Sequence, residues 1–356
     1  MSSDRRWQPA APALVVLAAV VALAACGKRG DPMPPPRAVP AAVRDLALVQ
    51  RGGEVLLDFG HPQTTVAGLP LSALAGVTLY ELDRPAPAAG QALAVAPQEL
   101  AGAKPVAELA GGDLAAAVAG DRIRLTWKLP EPLPEPAVAR VFAVKTRAER
   151  GAASDFSNVA VLVPRPAPAA PGELAIEPRK EGVRLTWTAA ADAAAGYAIL
   201  RRNAQATQWG ATLARVEKDA TSFLDSGARY GQRYVYTVLS LAARDPDVQS
   251  PPRSETEVDY ADRFAPAPPA ALRALALPGE VHLVWEASPD TDVAGYRLER
   301  AAAGGDFAPL PVGPQQGLEY VDSGLPAESS WRYRVVALDG NGNVSEPSAV
   351  AEVRVP

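Results

Sequence analysis

The chain has one cysteine, two histidines and two methionines in 356 residues. A single cysteine excludes an intramolecular disulfide framework and any cysteine-cluster metal centre. His61 and His282 lie in different parts of the chain, so no Ser–His–Asp set or zinc spacing can be assembled, and no glycine-rich phosphate loop is present. Both histidines read as surface groups: His282 alternates outward on a strand, and His61 follows a strand end beside Pro62. Blocks of five or six like charges are missing too. The formal charge of −5 describes a mildly acidic body with no basic stripe for nucleic acid. Long helical patterns are scarce, whereas 36 prolines and 28 glycines are spread throughout, which favours short strands joined by turns. Stability has to come from packed cores, and the length has room for two or three of them.

What is present is a repeated phrase. Val281-His-Leu-Val-Trp285 puts Val281, Leu283 and Trp285 on one face of a strand, and Gly295-Tyr296-Arg-Leu-Glu-Arg300 follows. The same phrase occurs as Val183-Arg-Leu-Thr-Trp187 with Gly196-Tyr197-Ala-Ile-Leu-Arg201, and more weakly as Val55-Leu-Leu-Asp-Phe59 with Gly76-Val77-Thr-Leu-Tyr80. Independent landmarks keep one period. Trp187 to Trp285 is 98 residues, Gly196 to Gly295 is 99, and both Asp225-Ser-Gly227 to Asp322-Ser-Gly324 and Tyr236 to Tyr333 are 97. So steady a spacing marks internal duplication. Pro166-x-Pro168 and Pro266-x-Pro268 introduce the two regular units at the same place. The first unit is irregular, with an Ala-, Gly- and Pro-rich stretch over 84–120 in which Leu100 to Leu114 suits either a helical turn or a loop. Ile123 to Trp127, Val141 to Thr146 and Phe156 to Val163 read as its later strands.

These landmarks resemble the fibronectin type III family. Its inward tryptophan, following-strand tyrosine and Tyr-x-Tyr-x-Val strand are matched by Trp187, Tyr197 and Tyr234-x-Tyr236-x-Val238, then by Trp285, Tyr296 and Trp331-x-Tyr333-x-Val335. The resemblance implies an all-β chain of tandem two-sheet sandwiches that need no disulfide. A large aromatic fits the gap of about 10 Å between packed sheets. Tyr234 suits a corner hydroxyl that bonds back to backbone, whereas Trp331 has only an indole N–H to offer there. In the first unit Phe59 stands for the tryptophan and Arg140 lies near the corner.

At the N-terminus Arg5 and Arg6 precede an apolar run from Ala13 to Ala25, too short for a comfortable bilayer span but suited to a secretory signal. It ends Leu23-Ala24-Ala25-Cys26, which resembles the lipobox of bacterial lipoproteins, with the chain's one cysteine where the motif demands it. That resemblance implies cleavage before Cys26, diacylglycerol on its thiol and a further acyl group, such as palmitate, on its new amino group. Gly27 stands where an aspartate would favour inner-membrane retention, which implies the inner, periplasm-facing leaflet of a Gram-negative outer membrane. Residues 27–40, GKRGDPMPPPRAVP, read as a polyproline-like tether reaching up to roughly 40 Å from the lipid. Its opening is also similar to small envelope lipoproteins associated with lipopolysaccharide export. The expected organisation is a signal peptide over 1–25, lipidated cysteine and tether over 26–40, a divergent sandwich over 41–165, and regular sandwiches over 168–260 and 266–356.

Three further groups carry side chains capable of chemistry or recognition. Ser288-Pro-Asp-Thr-Asp292 and Asp339-Gly-Asn-Gly-Asn343 offer oxygens that suit Ca²⁺, but Val350 stands where an EF-hand loop closes on an acid, and hairpin turns explain both. Glu81, Asp83, Glu99 and Asp113 supply carboxylates for acid–base work, with nothing in their spacing to favour a pair. Trp209 and Phe307 fit satellite packing or a contact with a glycan or protein. The expectation is a membrane-anchored, non-catalytic envelope lipoprotein with no cofactor, metal or nucleic acid. Its sandwiches serve as spacer and docking scaffold for an envelope protein; the alternative is a carbohydrate-binding or adhesion lipoprotein at the cell surface.

Overall fold

The computed structural model describes residues 38–88, 91–149 and 152–356; Leu23, Ala24, Ala25, Cys26 and most of the tether lie outside the described residues. Nearly half the chain is strand and 4% is helix, an all-β series of tandem sandwiches. In the first unit β1 (Ala47–Arg51), β2 (Glu54–Gly60) and β6 (Arg122–Lys128) form one sheet, edged by β5 (Val118–Ala119). The facing sheet runs β4 (Lys104–Ala110), β3 (Leu74–Pro85), β7 (Val138–Ala148), β8 (Ala160–Leu162). The second unit repeats this as β9 (Leu174–Arg179), β10 (Gly182–Trp187) and β13 (Ser222–Asp225) against β12 (Ala214–Val216), β11 (Gly196–Asn203), β14 (Gln232–Ala243) and β16 (Thr256–Tyr260). The third does so with β17 (Ala270–Leu277), β18 (Glu280–Glu286) and β21 (Glu319–Ser323) against β20 (Ala308–Pro309), β19 (Val293–Ala302), β22 (Ser330–Asp339) and β23 (Ala351–Arg354). Three strands facing four, in the same order each time, is a fibronectin type III arrangement.

Each gap between sheets is crossed by a pair of aromatic rings. Trp187 meets Tyr197 edge-on at 5.4 Å between centroids, and Trp285 meets Tyr296 at 5.7 Å. Neither indole N–H meets a protein acceptor, so packing alone holds the indoles. The tyrosine hydroxyls are fixed instead: Ala190 N–H donates to Tyr197 Oη at 3.0 Å, and Ser288 N–H to Tyr296 Oη at 3.1 Å. Gly196 precedes its tyrosine at φ +99°, where a Cβ would lie 2.1 Å from the Val216 carbonyl oxygen. Only glycine fits there. In the first unit the indole comes from the strand beside the central one: Trp127 on β6 packs on Phe142 at 5.4 Å, while Phe59 is fully buried in the core.

The 84–120 stretch is ordered where described. It supplies a 3₁₀ turn (Pro97–Gly102), β4 and a short helix, α1 (Gly111–Ala117). Leu114 of α1 enters the core, while Leu100 packs on Val141 and Ala143 across the outer face of β7. The last strand of the unit is shorter than its pattern, beginning at Ala160 rather than Phe156. Serine hydroxyls replace the ladder before it. Thr146 and Val144 donate their N–H groups to Ser154 and Ser157 Oγ, and accept the serines' own N–H groups on their carbonyls. Ser345 and Ser348 make the same paired bonds with Ala337 and Val335, and Ser250 does so with Ser240.

The first two units share one sheet. β15 (Val248–Gln249) leaves β14 and runs parallel to β1, with Gln50 opposite Val248 and Arg51 opposite Gln249. Buried polar groups line this seam. Gln50 Nε2 donates to the Arg165 carbonyl at 2.6 Å, Arg51 Nε to Gln249 Oε1 at 2.9 Å, and Arg215 Nε to Asp247 Oδ2 at 2.9 Å.

The serine bonds sit in buried backbone, so each of Ser345→Ala and Ser348→Ala is expected to cost about 1–3 kcal/mol, the penalty for a stranded N–H. Urea unfolding measures this; unchanged midpoints would refute the role.

Candidate functional site

The aromatic residues singled out by the repeat gather in two cores. Tyr197, Tyr236 and Tyr333 are fully buried, Trp187, Trp285, Tyr234 and Tyr296 are buried, and Trp331 is half-buried. Tyr234 Oη accepts the Arg229 N–H at 3.2 Å, and the indole of Trp331 donates to Ser329 Oγ at 2.7 Å. The Asp-Ser-Gly landmarks acquire a role that sequence reasoning missed. Asp225 Oδ2 accepts from Tyr236 Oη and Arg201 Nη1, both at 2.7 Å, and Asp322 accepts from Tyr333 and Arg300 at 2.8 and 2.9 Å. Each guanidinium also lies over the corner aromatic, Tyr234 at 4.8 Å and Trp331 at 4.5 Å. Burial and then the adjacent aspartate push the Tyr236 and Tyr333 phenols up, so both stay donors across the working pH range. The arginines at the ends of the two repeated Gly-Tyr phrases were the available signal.

Of the four candidate acid–base groups, Glu81 and Asp83 come together, and Glu99 and Asp113 lie apart from them. Glu81 and Asp83 flank one guanidinium, each 2.9 Å from Arg140 Nη1. Burial pushes the Glu81 carboxyl up although Arg140 opposes it. Glu99 is held by Arg84 and the Ala96 N–H, and Asp113 opens α1. His61 lies against Pro62 O and Gln63, and His282 Nε2 lies 2.8 Å from Glu280 Oε1. Trp209 and Phe307 are covered rather than displayed. Arg202 lies 5.0 Å over the former, and Arg334 and Arg332 lie 4.4 and 5.1 Å over the latter.

The acidic turns meet at the joint between the second and third units. Asp262, Asp292 and Asp339 bring one carboxylate oxygen each within 4.8 Å of one another. Their chemistry there is that of a turn. Asp339 Oδ1 accepts from the Asn341 and Asn343 N–H groups at 2.9 and 2.8 Å, and Asn341 Nδ2 donates to Asp262 Oδ2 at 2.8 Å. Burial opposes the Asp339 charge, but these donors hold its carboxyl below the usual range. Beside it Lys180 Nζ reaches Asp290 Oδ2 at 2.6 Å, and the Ala267 N–H adds a second bond. Tyr230, Tyr260 and Phe264 stack alongside, with Tyr230 Oη on the Lys180 carbonyl at 2.9 Å and Tyr260 Oη on that of Arg179 at 2.8 Å. A hollow of about 580 Å³ lies at the other seam, among Gly53, Pro130, Leu133, Pro168 and Pro251.

No known family model matches the chain. It is 31% identical over 178 residues to exoglucanase B of Cellulomonas fimi, and 37% identical over 97 residues to an α-amylase of Niallia circulans. These matches take in 48% and 27% of the chain, which spans only 15% and 7% of the relatives' lengths. Among solved structures, a two-domain fibronectin type III segment of chicken tenascin is 16% identical, with a TM-score of 0.37, over 52% of this chain and 100% of that one. The units are fibronectin type III-like.

Asp225→Ala strands a tyrosine and an arginine together and is expected to cost about 2–3 kcal/mol, against about 1 kcal/mol for Tyr236→Phe. Equal costs in urea would show that the aspartate is not the hub. At the joint, Lys180 and then the Ala267 N–H lower the Asp290 pKa, so its contribution is present above the unfolded value, about 3.9, and is lost as pH falls through the folded one. Asp290→Asn should destabilise at pH 7 and match the parent in strong acid. A gap in unfolding midpoint that is constant with pH would rule the pair out.

Proposed function

We propose that this is a membrane-anchored, non-catalytic envelope lipoprotein whose sandwiches hold a docking surface at a set distance from the lipid. The observation that carries the reading is the continuous sheet between the first two units, through the parallel β1–β15 pairing and its buried polar seam. A shared ladder resists the domain rotation that is otherwise expected within a chain. Rigid units on a proline-rich tether suit spacing and presentation better than they suit chemistry. The anchor is Cys26, reached through the Leu23-Ala24-Ala25-Cys26 motif, and its acyl chains insert at about 0.8 kcal/mol per buried methylene. The leaflet is the periplasm-facing one of an outer membrane, in keeping with Gly27. An envelope protein is the partner.

Cys26→Ser should shift the chain from the detergent-extracted membrane fraction to the soluble one, and the parent's N-terminal peptide should carry acyl mass. An unacylated parent found in the soluble fraction would end the anchor reading. Crosslinking in intact envelopes followed by mass spectrometry identifies the docked protein.

Similarity to parts of an exoglucanase and an α-amylase favours a second reading, an accessory glycan-binding module at the cell surface. Among the described residues Tyr230 is the one exposed aromatic, and its ring is stacked 4.6 Å from Tyr260. A glycan array with no binding above background would remove this alternative.

A further inference from the structure

The outer face of the β17–β18–β21 sheet carries exposed aliphatic side chains. Leu275, Val284, Val321 and Leu277 are 63, 51, 42 and 38% exposed. Strand register makes them neighbours: Leu275, His282 and Val321 form one row across the sheet, and Arg273, Val284 and Glu319 form the next. The same face of the second unit carries Glu177, Arg179 and Arg184, with Glu177 and Arg179 paired at 2.7 Å. The first unit carries Asp58 with Arg122 and Arg124 there. At the positions of Glu177 and Arg179 the third unit has Leu275 and Leu277, and at that of Thr186 it has Val284; Val321 stands where the second unit has Leu224, itself 43% exposed. The third face is the more aliphatic of the two, although Arg273, Glu280, His282, Glu286 and Glu319 stand on it too.

The charges that remain indicate what covers it. Ion pairs of the third unit engage Glu280 with His282, Glu299 with Arg297 and Arg334, Asp322 with Arg300, and Glu328 with Arg354. Arg273 and Glu319 take part in none of them, and they stand at opposite ends of one row with Val284 between. A two-fold axis parallel to β18 lays β17 of one copy over β21 of the next. Row by row, Arg273 then faces Glu319 of the second copy, Leu275 faces Val321, and Val284 faces itself. An isologous contact must be self-complementary, and the row of Val284 is, with two ion pairs flanking it, while His282 of the next row also faces itself. Facing sheets about 10 Å apart and nearly aligned are how each sandwich already packs internally. Glu280 and Glu286 fall toward the ends of β18, at the rim, where water screens like charges.

We infer that the β17–β18–β21 face of the third unit is a homodimer interface, built around Val284 and closed by reciprocal Arg273–Glu319 pairs. The inference is independent of the acyl anchor: a monomer would remove it and leave the anchor standing, and an unacylated dimer would do the reverse.

Sedimentation equilibrium of the full chain in detergent, with the micelle density-matched, tests it. The parent should show a monomer–dimer equilibrium. Val284→Glu should weaken it by tenfold or more with an unchanged thermal midpoint. Arg273→Glu and Glu319→Arg should each weaken it, and the two together should restore it, because the swap re-forms both pairs. A parent that stays monomeric, or a dimer indifferent to Val284→Glu, would overturn the interface. Failure of the double swap to restore association would overturn the two-fold arrangement.

Discussion

Two rings, an indole from one sheet and a phenol from the other, keep the sheets of each regular sandwich at their spacing. Everything else in the second and third units is arranged around that contact. The indole is fixed by packing and the phenol by a backbone N–H, so one partner resists compression and the other resists rotation. With one cysteine in the chain, no covalent link substitutes for this pair. A few steps away the Asp225 and Asp322 hubs tie one sheet to the other through a guanidinium and a second phenol. Cross-sheet polar ties of this kind add direction to what apolar burial supplies only as cohesion.

Much of this was legible because duplication lets a sequence be read against itself. Trp187 and Trp285, Tyr197 and Tyr296, and Tyr236 and Tyr333 recur at one spacing with strand alternation around them, and alternation specifies which face is buried. What escaped did so for physical reasons. A serine hydroxyl that replaces a backbone ladder looks like loop composition, so Phe156 to Val163 read as one strand although Ser154 and Ser157 hold its first part off the ladder. In the first unit the indole moved to Trp127 on a different strand, which conserves volume in space but not position in sequence. β15 is two residues long, and no periodicity exists at that length. The acidic turns were legible as turns, but their meeting with Asp262 depends on how the linker folds back.

The two joints differ in kind. Between the first and second units the contact is backbone ladder with a buried polar seam that includes Arg51 and the Arg215–Asp247 pair. Between the second and third it is side chains: a lysine–aspartate pair, asparagines on carboxylates and a stack of three rings. Side-chain joints of this kind respond to pH and salt more than a backbone ladder does.

The β1–β15 pairing also sets a timetable. The chain is delivered from its N-terminus, at synthesis and at export alike, so β1 appears before Val248. Until then the free edge of β1 presents unpaired N–H and C=O groups, open to the wrong strand as readily as to the right one. The strand that closes it belongs to the second unit. Birth order thus leaves an interval of exposure that ends only when the second sandwich arrives to cap the first.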